Sequence, residues 1–90
     1  MKDNILIIHP LDNVAVALRD LESGAPVIAK GMEGFPVSEK IPASHKIALR
    51  DISQGEEIIK YGEIVAVTSR KIKKGEWVHT HNIESKRWKK

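Results

Sequence analysis

The chain has 90 residues, 41% of them hydrophobic, which suits one domain around a single modest core. It has no cysteine, which excludes a disulfide framework and any thiolate metal site. With 15 Lys and Arg against 12 Asp and Glu the net charge is +3. The longest apolar run, Ile5-Leu6-Ile7-Ile8, is too short for a membrane span. Met1-Lys2-Asp3-Asn4 lacks the basic and apolar regions of a signal peptide, so a soluble cytoplasmic protein is expected.

Ile5 to Ile8 reads as the first strand. His9-Pro10-Leu11-Asp12-Asn13 follows, and Asp and Asn after Pro close a turn through side-chain bonds to backbone. Val14 to Leu18 is a second apolar run; continued to Leu21 it competes as a helix. Lys30 to Ala43, with Gly31, Gly34, Pro36 and Pro42, reads as a long loop of functional or mobile character. Ile47 to Leu49, Ile58 to Lys60, Ile64 to Thr68 and Trp77 to Asn82 complete the predicted strands, each bounded by turn formers. The fold class is therefore mostly β, with short strands in a small barrel-like or clip-like arrangement.

A repeat runs through these elements. Arg19 to Val27, Arg50 to Ile58 and Arg70 to Val78 all read Arg-x-Leu/Ile-x-x-Gly-x-x-Val/Ile. The first apolar residue anchors a turn to the core. The glycine permits a positive φ, and the last apolar residue starts an inward-facing strand. The spacing between copies is short and irregular, which excludes a solenoid.

Several stretches can carry chemistry. In a strand, residues two apart share a face, so Trp77, His79 and His81 lie opposite an inward Val78. Two imidazoles on one face can hold a metal or a carboxylate, or move a proton; surface histidines are the alternative. His45 and Lys46 follow a proline turn and present a base beside a cation, or are merely solvated turn residues. Lys60-Tyr61-Gly62 can bind an anion or donate a proton, or Tyr61 flanks the core. Basic residues crowd positions 71 to 90, namely Lys71, Lys73, Lys74, Lys86, Arg87, Lys89 and Lys90. Such a run suits nucleic acid, an acidic protein or plain solvent. The single Phe, single Tyr and two Trp argue against a base-stacking surface.

Taken together and in order, "HPLDNVAVAL", "IPASHKIAL", "GEEIIKYGE" and "IKKGEWVHTHN" resemble the amino-terminal segment of the altronate and galactarate dehydratase family. The resemblance covers about His9 to Asn82. The chain has Ser44 where the family pattern has Gly, and Val65-Ala66-Val67-Thr68-Ser69 where it has Ile-Gly-x-Ala-Thr. It implies an SAF-type β-clip domain over residues 1–83, followed by a basic tail over 84–90. It also implies the small subunit of a hydro-lyase acting on a sugar acid or related 2-hydroxy acid, with sulfolactate among the substrates of split relatives. By the same resemblance His45, Lys46 and Tyr61 are catalytic candidates, and Asp12, Asn13, Lys60 and Asn82 substrate-binding candidates. His79 and His81 are candidate ligands to iron or manganese in the assembled enzyme, with no metal expected on the free chain. A domain this small leaves no deep pocket, so a large dehydratase subunit is the expected partner. Membrane is not expected as a partner, and nucleic acid is the less favoured one. A binding module of the same fold without catalytic function is the remaining alternative.

Overall fold

The repeated turns organise the molecule. The structure is a computed structural model that describes residues 2–85. Leu21, Ile52 and Ile72, the first apolar residue of each repeat, are at most 3% exposed, and Val27, Ile58 and Val78 at most 1%. Gly24, Gly55 and Gly75 adopt φ of 85°, 80° and 90°, the left-handed region open to glycine at least cost. At each copy the residue after the glycine donates to a carbonyl three residues back: Ala25 to Glu22, Glu56 to Ser53 and Glu76 to Lys73.

A fourth copy is present. Ile41 is fully buried, Ser44 has φ 72°, His45 N donates to Pro42 O at 3.1 Å, and Ile47 is fully buried. Serine occupies the glycine position there, at a backbone cost of about 1–2 kcal/mol.

The four turns associate in two pairs. Leu21 and Ile41 exchange backbone hydrogen bonds at 2.8 Å in both directions; Ile52 and Ile72 do the same at 2.7 and 2.8 Å. Each left-handed residue also donates to the segment leading into the other member of its pair: Gly24 to Val37, Ser44 to Ala17, Gly55 to Thr68, and Gly75 to Ala48. The apolar side chains divide accordingly. Ile5, Ala15, Ala17, Leu21, Val27, Val37, Ile41 and Ile47 form one buried cluster. Val14, Ala48, Ile52, Ile58, Ala66, Ile72 and Val78 form the other.

Seven strands connect the turns: β1 (Ile5–Leu6), β2 (Val14–Ala17), β3 (Lys46–Ala48), β4 (Glu57–Lys60), β5 (Glu63–Thr68), β6 (Trp77–Val78) and β7 (Ile83–Ser85). They form two antiparallel sheets, β1-β2-β3-β6 and β4-β5-β7. The mostly-β expectation holds, with no helix among the described residues, and hence none long and apolar enough to cross a membrane.

The ambiguity at Val14 resolves as a strand, Val14–Ala17, and the chain bends at Leu18. Three details differ from the sequence reading. Gly24 precedes only an isolated bridge, Pro26 to Pro36, not a strand. The Lys30 to Ala43 stretch is pinned by that bridge and by the Leu21–Ile41 bridge, with Val37 and Ile41 buried. Finally, β7 takes in Glu84 and Ser85, the first two residues of the stretch read as a tail. The rest of that basic tail, 86–90, lies outside the described residues.

Candidate functional site: imidazoles, indole and lysines where the sheets meet

His45 sits at the mouth of β3, fixed on both sides. Ser44 N donates to Ala17 O, and Ala17 N donates to His45 O, both at 2.8 Å. Across the ladder, Ile47 pairs with Trp77 and Lys46 with Val78. Side chains alternate in a strand, so His45, Ile47, Trp77 and His79 emerge on one face and Lys46 on the other. The rings meet as that register requires. His45 and His79 have centroids 4.9 Å apart; Trp77 lies 5.4 Å from His45 edge-on and stacks on His79 at 5.3 Å with 10° between planes.

One hydrogen bond fixes the protonation pattern. Trp77 Nε1 donates to His45 Nδ1 at 3.2 Å. Indole N–H is a donor only, so Nδ1 is unprotonated and neutral His45 carries its proton on Nε2.

The expected His79–His81 strand is corrected. β6 ends at Val78, and residues 79 to 82 form a turn. Asn82 causes this: its Oδ1 accepts from His79 N at 2.9 Å, its N donates to His79 O at 3.0 Å, and its Nδ2 donates to Trp77 O at 2.8 Å. His79 is consequently half-buried, not projected into solvent, while His81 is exposed with its ring tilted against Trp77 at 5.4 Å. His81 faces an open polar groove of about 360 Å³ that it shares with Glu39, Arg70, Lys71, Glu76 and Asn82.

Electrostatics separate these groups. Burial first, and then the nearby His45, Lys46 and His81, pull the His79 pKa below the ordinary histidine value. His79 is therefore biased toward the neutral form, with a lone pair free for a proton. Burial first, and the neighbouring Lys60 charge second, lower the Lys46 pKa as well. His79 and Lys46 thus share a positive environment at the end of β3 and β6.

The remaining candidates form a splint between the two sheets. Asn13 Nδ2 donates to Glu57 O at 2.8 Å, and its Oδ1 accepts from Ile59 N at 2.8 Å. Asp12 Oδ2 accepts from His9 N at 3.1 Å and Oδ1 from Gly62 N at 2.8 Å. Burial would raise the Asp12 pKa, but the backbone N–H groups of Gly62, Tyr61 and His9, with the His9 charge, outweigh it and hold it below the usual range. This carboxylate clamps the β4–β5 hairpin tip, where Tyr61 and Gly62 both have positive φ, 59° and 74°. Two such residues in a two-residue loop are the mark of a primed turn that matches strand twist. Only glycine fits at position 62, because a Cβ there would come within 2.8 Å of the His9 ring. Tyr61 is 53% exposed, and Lys60 Nζ lies 4.9 Å from its ring centroid. Asp12, Asn13 and Asn82 are buried with their side chains bonded to backbone, and Lys60 and Tyr61 are presented beyond them.

Two participants were not singled out from sequence. Trp77 was read as a neighbour on the histidine face, whereas it is the hub joining His45, His79 and His81. Glu39, from the presumed loop, accepts from Trp77 N at 3.1 Å. The period-two spacing of Trp77 and His79 was the signal for the first; none existed for the second.

A metal fits this set poorly on its own. The described residues hold no group of three His, Cys, Asp or Glu side chains placed to share an ion. Any iron or manganese at His79 and His81 needs ligands from elsewhere.

The geometry defines a small all-β domain that clusters three imidazoles around one indole, with an open groove beside His81. Residues 3–86 match the family described as the altronate/galactarate dehydratase SAF domain, and the chain belongs to that family. It is 40% identical over 78 residues to altronate dehydratase of Bacillus subtilis, covering 87% of this chain but 16% of that enzyme. It is 33% identical over 89 residues to the (2R)-sulfolactate sulfo-lyase subunit alpha of Chromohalobacter salexigens, covering 91% of this chain and 95% of that subunit. The corresponding subunit alpha of Paracoccus pantotrophus is 42% identical over 64 residues, 69% of this chain and 96% of that one. The chain therefore spans a minor part of one kind of relative and almost all of another.

Proposed function

We propose that this chain acts as the small subunit of a lyase for a sugar acid or related 2-hydroxy acid, closing an active site built mainly by a larger chain. The observation that carries this reading is the match to 95% of a relative itself called a subunit alpha. The domain's size supports it, since the groove beside His81 is open to solvent and needs a second chain to close over a small molecule.

The elimination such an enzyme performs removes a proton α to a carboxylate and expels a β-substituent. A base, an acid and positive charge for the developing enediolate are required. In this reading His79, biased to its neutral form, takes the α-proton. His45, whose Nδ1 is occupied by Trp77, offers Nε2–H toward the departing group. Lys46, on the opposite face of β3, adds positive charge to the surroundings of His79. Tyr61, exposed at the hairpin tip, lies on the side a second chain would cover. A divalent ion, when supplied with further ligands by the larger chain, would polarise the substrate's oxygens; none of these assignments runs through it.

The test is co-expression with a large dehydratase or sulfo-lyase chain, followed by assay on altronate, galactarate and sulfolactate. Turnover by the pair and none by either chain alone is the expected result. Turnover by this chain alone, or an unchanged rate when it is omitted, overturns the reading.

A further inference from the structure

Two residues outside the ring cluster hold the Trp77–His79 stack in place. Trp77 N donates to Glu39 Oε2 at 3.1 Å, and Trp77 O accepts from Asn82 Nδ2 at 2.8 Å. His79 N donates to Asn82 Oδ1 at 2.9 Å, and His79 O accepts from Asn82 N at 3.0 Å. All four backbone polar groups of the stacked pair are therefore bonded by Glu39 or Asn82. The stack itself, with 5.3 Å between ring centroids, is a weak restraint on its own. Asn82 has little left to offer a ligand. Its O accepts from Ser69 N at 2.9 Å, its Oδ1 and Nδ2 are both engaged, and it is 3% exposed although it lines the groove.

A second turn of the same design shows what the amide adds. In His9-Pro10-Leu11-Asp12, Asp12 Oδ2 accepts from His9 N at 3.1 Å and Asp12 N donates to His9 O at 3.0 Å. A carboxylate therefore suffices to close such a turn. Its other oxygen meets a donor, Gly62 N, at 2.8 Å. At position 82 the corresponding atom meets a carbonyl, Trp77 O, which only a donor can satisfy. Aspartate there would close the turn and release Trp77, whereas asparagine closes the turn and grips Trp77 together. Without the turn, strand period would carry His79 outward beyond Val78; with it, His79 stays half-buried against the indole.

We infer that Asn82 and Glu39 are positioning residues, which hold the His79 ring against the indole and touch no substrate themselves. For Asn82 this takes the place of the substrate contact implied by the family resemblance. The inference rests on the lyase reading only for the use to which His79 is put, since the positioning belongs to this chain alone. Each acts through the backbone of the stacked pair: Asn82 at both residues, Glu39 at Trp77.

The test is NMR of the isotope-labelled full chain, with kinetics of the assembled two-chain enzyme beside it. In the parent, the indole should shift the His79 ring protons upfield. Asn82→Ala and Glu39→Ala should move them toward ordinary histidine positions and raise the His79 titration toward about 6.5. Loss of the Glu39 charge alone would lower that titration, so its direction separates position from electrostatics. Asn82→Asp, which keeps the turn without the Trp77 bond, should move the ring protons in the same sense as Asn82→Ala. Glu39→Gln keeps an acceptor for Trp77 N and should recover most of what Glu39→Ala loses. In the assembled enzyme both alanine variants should lower kcat about tenfold or more, with KM held. Ring shifts and titration unchanged in both overturn the positioning. A raised KM with kcat and ring shifts unchanged in Asn82→Ala overturns it in favour of a substrate contact. If Asn82→Ala does not fold, Glu39→Ala against Glu39→Gln decides by the same readings. Displaced rings with unaltered kcat remove His79 from the reaction and leave the positioning. Undisplaced rings with a lowered kcat do the reverse.

Discussion

Trp77 Nε1 donates to His45 Nδ1 at 3.2 Å, and that contact turns a pair of histidines into an ordered cluster. The indole simultaneously stacks on His79. Trp77→Phe keeps a stacking ring and removes the donor. The loss of stability should be about 1 kcal/mol, the usual net worth of one such bond. Nitrogen NMR of His45 reads the consequence: a dominant Nε2–H tautomer in the parent chain and a mixture in the variant.

Ser44 holds a left-handed conformation at the position where the other three turns have glycine. Ser44→Gly should relieve the strain and raise stability by about 1 kcal/mol, partly offset by the greater freedom of glycine in the unfolded chain. Ser44→Val should do the opposite. Urea unfolding of the three proteins checks both.

The four turn anchors should be equivalent. Ile41 and Ile72 are each fully buried, so Ile41→Ala and Ile72→Ala should each cost about 2–5 kcal/mol. In a domain this small, that approaches the whole stability. A much smaller cost at Ile41, measured by thermal melting, would show that the fourth turn is not a structural equal.

Acid should destabilise the protein in two stages. The folded pKa of His79 is lowered, so as pH falls below about 6.5 the unfolded state takes up that proton first and stability drops. Asp12 is also lowered, so it contributes stability that is complete above its unfolded value near 3.9 and is lost as pH falls through its folded value. His79→Gln should abolish the first stage and Asp12→Asn flatten the second. The midpoint of urea unfolding followed from pH 8 to pH 3 shows whether the two stages separate this way.

Much of the fold was legible because its punctuation is written in residue types. Leu21, Ile52 and Ile72 with their following glycines announce three turns, and all three anchors are buried. The fourth was hidden because Ser44 replaces the glycine and no arginine precedes it; the arginines are exposed and do not define the turn. Trp77 to Asn82 misled for a different reason. Alternation of Trp, His and His has strand period, but a side-chain bond ended the ladder at Val78. The same His-x-x-Asp/Asn arrangement occurs at His9 and Asp12, where Pro10 gave the turn away. β7 could not be read, because Ile83 is its one apolar residue. At the site, strand period placed Trp77 beside His79, whereas the lashing of β4 to the start of β2 depends on Asn13 joining two sheets, which no local pattern encodes.

The central claim is that His79 serves a reaction completed on another chain. It is tested most directly by assaying the reconstituted two-chain enzyme with His79→Gln in the small subunit, alongside melting of the free variant. His79→Gln should lower kcat by about 100-fold or more, the worth of a positioned general base, while the melting temperature near neutral pH and co-purification with the large chain stay as in the parent. Full activity in the assembled variant, or a loss that merely follows a lowered melting temperature, contradicts the claim.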